Sequence, residues 1–283
     1  MTTQRISLRD KVAVVTGAGA GLGRGIAEAF GDLGATVVVV ERDAVRADDA
    51  AKWFEARGVP HRIARMDVRD AAAVAALTAD VKQAYGRLDI LVNNVGDFCG
   101  QTKAFVETTE DEWEALHDAN FRHVLRMTRA ALPVMLEAGN GGSIINVSTI
   151  EAHRGIPHGV VYSAFNAAIG GFTRSLALEV GPAGIRVNEI APETSDTEQV
   201  QPRNWVAPEY QKHIKDWIPL GRFGTPRDAA GCAVFLASDL SGWVTGTTVH
   251  LDGGALAAAG WYRVHETGRW TNMPVVADAG IEM

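Results

Sequence analysis

The chain has 283 residues, of which 47% are hydrophobic, and carries a formal net charge of -7 at pH 7. This length suits one large α/β domain, and the negative charge argues against nucleic-acid binding, which needs clustered Lys and Arg. No stretch approaches the roughly 18 uninterrupted apolar residues of a membrane helix, and the polar N-terminus lacks a signal-peptide core. Cys99 and Cys232, far apart in the chain, favour free thiols over a disulfide. We therefore expect a soluble cytoplasmic protein without a membrane or nucleic-acid partner.

Short β-branched runs alternate with stretches of helical periodicity along the chain. The pattern predicts strands at 11–17, 36–42, 61–68, 88–96, 142–149, 185–192 and 247–254. It predicts helices at 23–34, 48–58, 71–86, 110–139 and 160–179. The strands are continuous apolar runs, which is typical of a parallel sheet covered by helices on both faces. Because no linker or repeat divides the chain, we predict one Rossmann-type doubly wound α/β domain over residues 1–283, with a seven-stranded parallel sheet.

The end of the first predicted strand carries a glycine-rich turn. In the run TGAGAGLGRGIA, Gly17, Gly21 and Gly23 are spaced for a chain that turns sharply into a helix. Such a turn brings backbone N–H groups close to a diphosphate. Glycine-rich turns also occur for purely steric reasons, but the place of this one, after a first strand and before a helix, favours a nucleotide site.

The ends of the second and third strands carry charged residues that would face the same nucleotide. Glu41 can accept hydrogen bonds from the adenosine ribose hydroxyls and would repel a 2′-phosphate, which favours NAD over NADP. Arg42 is a competing feature, because it offers a partner to that phosphate. Asp67 and Val68 are placed to meet the adenine.

Several short motifs occur in a fixed order along the chain. They are TGAGAGLG (16–23), NNVG (93–96), Asn120 in DAN, NVST (146–149), YSAFN (162–166), RVNEIAP (186–192) and LDGG (251–254). Together they resemble the short-chain dehydrogenase/reductase family over about residues 8–256. The resemblance implies an oxidoreductase that transfers a hydride between NAD(H) and a secondary alcohol or ketone of a small-molecule substrate. It also implies a homo-oligomer, either a dimer or a tetramer. The eight histidines show no ligand spacing such as HExxH, so we expect no metal ion.

The resemblance further implies roles for individual residues. Tyr162 matches the general acid/base, and Asn120 matches an asparagine that kinks its helix and holds a water in a proton relay. Counting from the neighbouring motifs, Thr149 rather than Ser148 matches the serine that meets the substrate oxygen, and Asn166 stands at the position of the lysine. The implied cofactor-binding residues are Gly17, Gly21, Leu22, Gly23, Glu41, Arg42, Asp67, Val68, Asn94, Gly96, Tyr162, Asn166, Pro192, Thr194 and Thr197.

Three positions depart from the family pattern: Asn166 replaces lysine, Thr149 replaces serine, and Glu193 replaces the glycine after Pro192. The lysine hydrogen-bonds the nicotinamide ribose and its charge makes the tyrosine more acidic. An asparagine can keep the hydrogen bond but carries no charge. A unit charge at ~5 Å, at an effective dielectric of ~20, is worth roughly 3 kcal/mol, or about two pKa units. Its loss predicts a Tyr162 that is mostly protonated and slow as a base at neutral pH.

A neighbouring cation would compensate for the missing lysine. His153, Arg154 and His158 lie between Thr149 and Tyr162, and they either line the pocket or are solvated loop residues. The sequence does not distinguish a natural asparagine from an engineered one. Two hypotheses therefore stand: an NAD-linked dehydrogenase or reductase, and a non-catalytic dinucleotide-binding protein of the same fold.

Substrate specificity is expected from three segments outside the cofactor motifs: 97–105, 151–160 and a lid at 193–222. Lid aromatics indicate either an apolar or cyclic substrate or simple anchors for the lid; they are Trp205, Tyr210 and Trp217. A ring diol and a fatty-acyl carbonyl are both candidates. The C-terminal extension, 257–283, has too many large aromatics for a solvated terminus, and we predict that it packs on a neighbouring subunit.

Overall fold

A computed structural model describes residues 6–206, 208–259 and 262–271. The strands are β1 (Val12–Thr16), β2 (Thr36–Glu41), β3 (His61–Arg65), β4 (Ile90–Asn93), β5 (Gly142–Val147), β6 (Ile185–Pro192), β7 (Thr248–Leu251), β8 (Tyr262–Arg263) and β9 (Trp270–Thr271). The helices are α1 (Gly21–Asp32), α2 (Ala44–Ala56), α3 (Ala71–Tyr85), α4 (Glu110–His117), α5 (His123–Ala138), α6 (Val160–Val180), α7 (Pro202–Trp205), α8 (Ile214–Trp217) and α9 (Pro226–Ala237).

The first seven strands form one parallel sheet in the order β3-β2-β1-β4-β5-β6-β7. The predicted seven-stranded doubly wound fold is therefore confirmed. The strand order reverses between β1 and β4, and a crevice for ligands opens at such a reversal, beyond the carboxyl ends of the strands. The glycine turn after β1 and the segments after β4, β5 and β6 all emerge at this edge.

The sheet is buried on both faces because alternate residues of each strand enter different cores. Ala13 and Val15 of β1 join a core with Phe30 of α1 and Phe54 of α2. Val12 and Val14 join the opposite core, whose helical members come from α3, α5 and α6. Side chains alternate across a strand, so a strand covered on both sides must be apolar throughout. This is why the strands are continuous hydrophobic runs in the sequence.

Three local features differ from the sequence pattern or add to it. The predicted helix at 110–139 is interrupted by a π-helical turn at Asp118–Arg122, between α4 and α5. The helix α9, which packs beside α1, was not predicted. The C-terminal extension forms a short antiparallel hairpin of β8 and β9. Among the described residues, no helix combines the length and apolar character that crossing a membrane requires.

Candidate active site

The glycine turn leaves no room for side chains. Gly17 has a φ of +62°, a left-handed conformation that favours glycine. A Cβ on Gly23 would clash with the carbonyl oxygen of Gly17 and lie 2.5 Å from Nδ2 of Asn94. Gly21 lies under the start of the lid, since a Cβ there would be 3.6 Å from Cβ of Thr197. The turn is thus backbone-lined, and Leu22 packs against the core behind it.

The carboxylate of Glu41 lies directly beside this turn. Its Oε2 accepts a hydrogen bond from the backbone N–H of Gly19 at 3.1 Å, and its Oε1 accepts one from the N–H of Asp43 at 2.9 Å. Glu41 is only 7% exposed. Arg42 is exposed, and its Nη1 lies 3.7 Å from Oδ2 of Asp67. The acidic group is therefore held at the turn, whereas the guanidinium of Arg42 is drawn toward the end of β3.

The residues after β3 are engaged within the protein. Arg69 donates hydrogen bonds from Nε and Nη2 to the carboxylate of Asp67, at distances of 2.6–3.0 Å. Hydrogen bonding to Arg69 lowers the pKa of Asp67 to about 2, so this carboxylate is ionised at neutral pH. Val68 is buried in the core. The predicted adenine contact of both residues stays a prediction.

The segment after β4 is tied to the end of β1. Asn94 donates from its backbone N–H to Oγ1 of Thr16 at 2.9 Å and from Nδ2 to the carbonyl of Thr16 at 3.0 Å. Gly96 follows in the open part of the crevice, and its carbonyl accepts a hydrogen bond from Nε2 of Gln199 at 3.2 Å. The lid therefore contacts the β4 end as well as the glycine turn.

Asn120 lies in the π-helical turn and connects it to the loop after β4. Its Nδ2 donates to the carbonyls of Leu116 at 2.9 Å and Asp97 at 2.8 Å, and its Oδ1 accepts from the N–H of Asp97 at 3.0 Å. The irregular turn and the buried amide thus hold Asp97 and the residue after it, Phe98, in place. This matches the expected kink, while the water relay stays a prediction.

The side chain of Tyr162, near the start of α6, lies close enough to the side chain of Thr149, which follows β5, for Thr149 to affect the acidity of the phenol. The neighbouring hydroxyl of Ser148 instead hydrogen-bonds to Oε1 of Glu189 on β6. Of the two candidate hydroxyls, the one chosen from the motif spacing is the one that meets the tyrosine. Thr149 also accepts a hydrogen bond from the N–H of Glu151 at 3.3 Å, which fixes its orientation.

The phenol of Tyr162 is a weak acid in this site. Although part of the side chain remains exposed, desolvation by surrounding protein atoms raises its pKa to about 12. The nearby side chain of Thr149 lowers the pKa of Tyr162, but the negative charges of Glu151 and Asp97 raise it further. At neutral pH the hydroxyl is therefore protonated.

The amide of Asn166 is engaged with the backbone of its own helix. It is 4% exposed, and its Nδ2 donates to the backbone carbonyl of Tyr162 at 3.0 Å, one helical turn back. A neutral amide in this place leaves the acidic groups around Tyr162 unbalanced.

The three candidate replacement cations are directed elsewhere. Arg154 pairs with Glu151 at 2.8 Å and with Glu193 at 2.7 Å. His153 lies 3.5 Å from Glu189 through its Nε2 and packs edge-on against the ring of His250. His158 is exposed on the loop. None of them is among the groups that shift the pKa of Tyr162, so the hypothesis that one replaces the lysine gains no support.

Two further residues belong to the site that the motifs did not reveal. The ring of Phe98 stacks on Tyr162 with centroids 3.8 Å apart and planes inclined by 19°. Glu189 is fully buried on β6 and accepts a hydrogen bond from Oγ1 of Thr248 at 2.6 Å in addition to that from Ser148. The sequence did indicate the segment of Phe98, because 97–105 is expected to contribute to substrate binding. No sequence feature indicated a site role for Glu189, which is an acidic residue inside a strand.

The segment after β6 begins with a second buried carboxylate. Oε1 of Glu193 accepts hydrogen bonds from the N–H and hydroxyl of Thr194, at 2.7 and 3.0 Å, and Arg154 balances its charge. Pro192 ends the strand, and Thr197 accepts a hydrogen bond from the N–H of Val200 at 3.1 Å. Thr194 and Thr197 thus follow the carboxyl end of β6, and their predicted contacts with the cofactor stay predictions.

The chain is similar to known dehydrogenases and reductases along most of its length. Residues 17–255 match the family model described as enoyl-(acyl carrier protein) reductase. A 3-oxoacyl-[acyl-carrier-protein] reductase of Thermotoga maritima is 36% identical over 253 residues, which cover 87% of this chain and 98% of the relative. The fold and these similarities define a Rossmann-like protein with oxidoreductase relatives. The chain belongs to the short-chain dehydrogenase/reductase family.

Solved structures of relatives contain either form of the nicotinamide cofactor. A 7α-hydroxysteroid dehydrogenase complexed with NADH and a 7-oxo bile acid superposes with a TM-score of 0.83 at 29% identity, covering 90% of this chain and 97% of its own. A structure from Agrobacterium tumefaciens that is described as a putative 2-deoxy-D-gluconate 3-dehydrogenase with bound NADP has a TM-score of 0.80 at 32% identity, covering 89% of this chain and 99% of its own. Fold similarity alone therefore does not select one cofactor or one substrate.

Proposed function

We propose that the protein is an NAD-dependent oxidoreductase that interconverts a ketone and a secondary alcohol. The observation that carries the proposal is the hydroxyl pair of Tyr162 and Thr149 at the carboxyl edge of the sheet. The pair provides a proton donor and a second hydroxyl for one substrate oxygen, which is the chemistry that carbonyl reduction needs. Its relatives catalyse reactions of this class.

The residues at the ends of β1 and β2 fit a dinucleotide. A side-chain-free turn lets a diphosphate approach backbone N–H groups at the start of α1, where the helix dipole favours negative charge. Glu41, held beside Gly19, would accept hydrogen bonds from ribose hydroxyls and repel a 2′-phosphate, which supports NAD. The bound nicotinamide supplies or accepts the hydride. Gly17, Gly21 and Gly23 would hold the diphosphate. In the lid, Thr194 would contact the cofactor and Thr197 would hydrogen-bond the nicotinamide amide, as the family resemblance implies.

The acidity of Tyr162 favours the reductive direction at neutral pH. With a pKa of about 12 the phenol is almost entirely protonated, so it can donate its proton to a developing alkoxide. Alcohol oxidation requires the phenolate, which becomes populated only as the pH rises toward that value. The positive charge of an oxidised nicotinamide would partly offset the raised pKa of Tyr162. We therefore infer a reductase at neutral pH whose oxidative activity grows under alkaline conditions.

The surroundings of the hydroxyl pair support an apolar or cyclic substrate. Phe98 covers one face of the Tyr162 ring and leaves an aromatic wall beside the hydroxyl. In the lid, Trp217 packs edge-on against Phe223 at 6.1 Å, which supports its role as an anchor. Tyr210 is exposed and free to meet a ligand. The side chain of Trp205 lies outside the described residues. Ring diols and fatty-acyl ketones remain the substrates to test first.

The second candidate function, a non-catalytic NAD-binding protein, is favoured by the neutral Asn166. One experiment separates the two. NADH consumption is followed by absorbance with a panel of cyclic and acyl ketones between pH 6 and 10, and NADH binding is measured by calorimetry on the same preparation. We expect binding and ketone reduction at neutral pH, with alcohol oxidation rising at alkaline pH. Binding without turnover on any substrate at any pH would favour the non-catalytic protein.

A further inference from the structure

A second cluster of polar side chains links the lid to the C-terminal hairpin, apart from the hydroxyl pair. His213 immediately precedes α8, and Asp216 follows three residues later on the same face of the chain. His265 comes from the turn between β8 and β9. All three side chains are half-buried, and the strand β8 packs against α8. Two parts of the chain that are far apart in sequence thus meet through these side chains.

The spacing of the three side chains matches a metal coordination sphere. One ligand atom from each residue can be chosen such that all lie within 4.8 Å of one another. Nδ1 of His213 lies 2.8 Å from Oδ2 of Asp216, and Nδ1 of His265 lies 3.4 Å from the same oxygen. Around a tetrahedral Zn²⁺ with bonds of about 2.0–2.1 Å, neighbouring ligand atoms are roughly 3.3 Å apart. Small side-chain rotations therefore suffice to place an ion among them.

Hydrogen bonding within the protein accounts for only part of this cluster. The bond between His213 and Asp216 has good geometry. Nδ1 of His265, in contrast, is buried and has no hydrogen-bond partner among the described residues, although it lies 3.4 Å from the same carboxylate oxygen. Leaving a buried polar nitrogen unsatisfied costs free energy. A cation between the three groups would use this nitrogen and bring two imidazoles to one carboxylate.

We propose that His213, Asp216 and His265 bind one divalent ion of the Zn²⁺ type. Two imidazole nitrogens and one carboxylate oxygen suit this borderline-soft ion and not the hard ions Mg²⁺ and Ca²⁺, which prefer oxygen ligands. Water completes the coordination. The ion fastens the hairpin of β8 and β9 to the lid and so stabilises the segment that closes over the cofactor turn. It takes no part in the proton transfer by Tyr162.

Calorimetry on chelator-treated, tag-free protein tests the proposal with Zn²⁺ as the probe and Mg²⁺ as the hard-ion comparison. We expect one Zn²⁺ per chain, no Mg²⁺ binding, and weaker Zn²⁺ binding below about pH 6, where histidines become protonated. H265A and D216N should each weaken Zn²⁺ binding by at least about 100-fold, because the loss of even an outer-shell partner costs 10–100-fold. The matched control H250Q, which removes an exposed imidazole on β7, should bind as the wild type does.

A second measurement guards against variants that bind poorly because they are misfolded. Zn²⁺ should raise the unfolding temperature of the wild type and of H250Q, but not that of D216N, whose side chain keeps nearly the same shape. Circular dichroism confirms that D216N is folded before the addition of metal. The absence of saturable Zn²⁺ binding to the wild type would overturn the proposal. Equal weakening in H250Q would overturn it as well, because the ion would then bind elsewhere.

Discussion

The cofactor side and the reaction side of the crevice differ in how their acidic side chains are hydrogen-bonded and paired with cations. On the cofactor side, at the ends of β1, β2 and β4, the family motifs are kept except at Val95, which stands in NNVG where the family has an alanine, and the buried carboxylate of Glu41 is held by backbone N–H groups next to the glycine turn. On the reaction side, at the ends of β5 and β6, Thr149, Asn166 and Glu193 depart from the family pattern. There the acidic groups outnumber the cations that face the phenol. The site that we propose for NAD thus adjoins Tyr162, whose phenol is of unusually low acidity.

The comparison indicates that, in the proposed function, cofactor binding and proton transfer depend on different residues. In the proposed function, the diphosphate and the adenosine ribose are held by the glycine turn and Glu41, which lie apart from Thr149, Asn166 and Glu193. Proton transfer depends on the pKa of a single phenol, which responds to every charge nearby. Substitutions on the reaction side should therefore change turnover and its pH dependence while leaving cofactor affinity almost constant. The predictions below test this separation.

The largest effect is expected for Tyr162→Phe. The variant loses the proton-transferring hydroxyl but keeps the ring that stacks on Phe98, so turnover should fall by up to ~10⁴-fold, the upper range for general acid catalysis. NADH affinity measured by calorimetry should be nearly unchanged. Tyr210→Phe, in the exposed part of the lid, is the matched control and should retain activity. Undiminished turnover in Tyr162→Phe would remove this residue from the mechanism.

The next effect concerns the choice between neighbouring hydroxyls. Thr149→Ala removes the hydroxyl that meets Tyr162, and we expect a loss in turnover of about 10²-fold, the lower range for a lost transition-state donor. Thr149→Ser keeps the hydroxyl and should restore most of the rate. Ser148→Ala removes a partner of the buried Glu189, so it should lower thermal stability more than turnover. The opposite order in steady-state rates would mean that Ser148 is the substrate-facing hydroxyl.

The cofactor side is tested by NAD and NADP calorimetry on the wild type and on Glu41→Ala. We expect the wild type to prefer NAD by at least about tenfold, or 1.4 kcal/mol, and the variant to lose most of that preference. Arg42→Ala is the control, because its guanidinium lies toward Asp67 and should matter little. Turnover per bound cofactor should not change. A wild-type preference for NADP would show that Arg42 governs the site.

The local structure at the ends of β1 and β2 could be predicted from the sequence better than the surroundings of Tyr162, for a physical reason. Glycine spacing, strand order and a strand-end carboxylate are local features, and the glycine turn and Glu41 lie where the motifs predict. The neighbours of Tyr162 come from distant segments. Phe98 stacks on it from the loop after β4, and its strongest charged neighbours are Glu151 and Asp97. The ion pair between Arg154 and Glu193 could not be predicted from the sequence either, because it depends on how the loops after β5 and β6 pack.

The smallest effect, and the one that bears most directly on the reaction side, is expected for Asn166→Lys. The present pKa of about 12 reflects desolvation and two acidic neighbours without a balancing cation. A lysine ammonium at ~5 Å is worth roughly two pKa units, so the phenolate should become more populated at every pH below about 10. The larger fraction of phenolate is partly offset because a phenolate of lower pKa is a weaker base. The expected net gain in the rate of alcohol oxidation at neutral pH is about tenfold.

The sign of the pH shift follows from the same charge. Because a cation stabilises the phenolate, the rise of oxidation rate with pH should move downward by about one to two units in Asn166→Lys, whereas NAD affinity should change little. Asn166→Gln, which remains neutral, is the matched control and should leave the pH profile in place. A loss of activity in the lysine variant would give Asn166 a role of its own in the site. If the wild type and both variants bind NAD but turn over no substrate, the non-catalytic function is supported, because restoring the missing charge would not have restored activity.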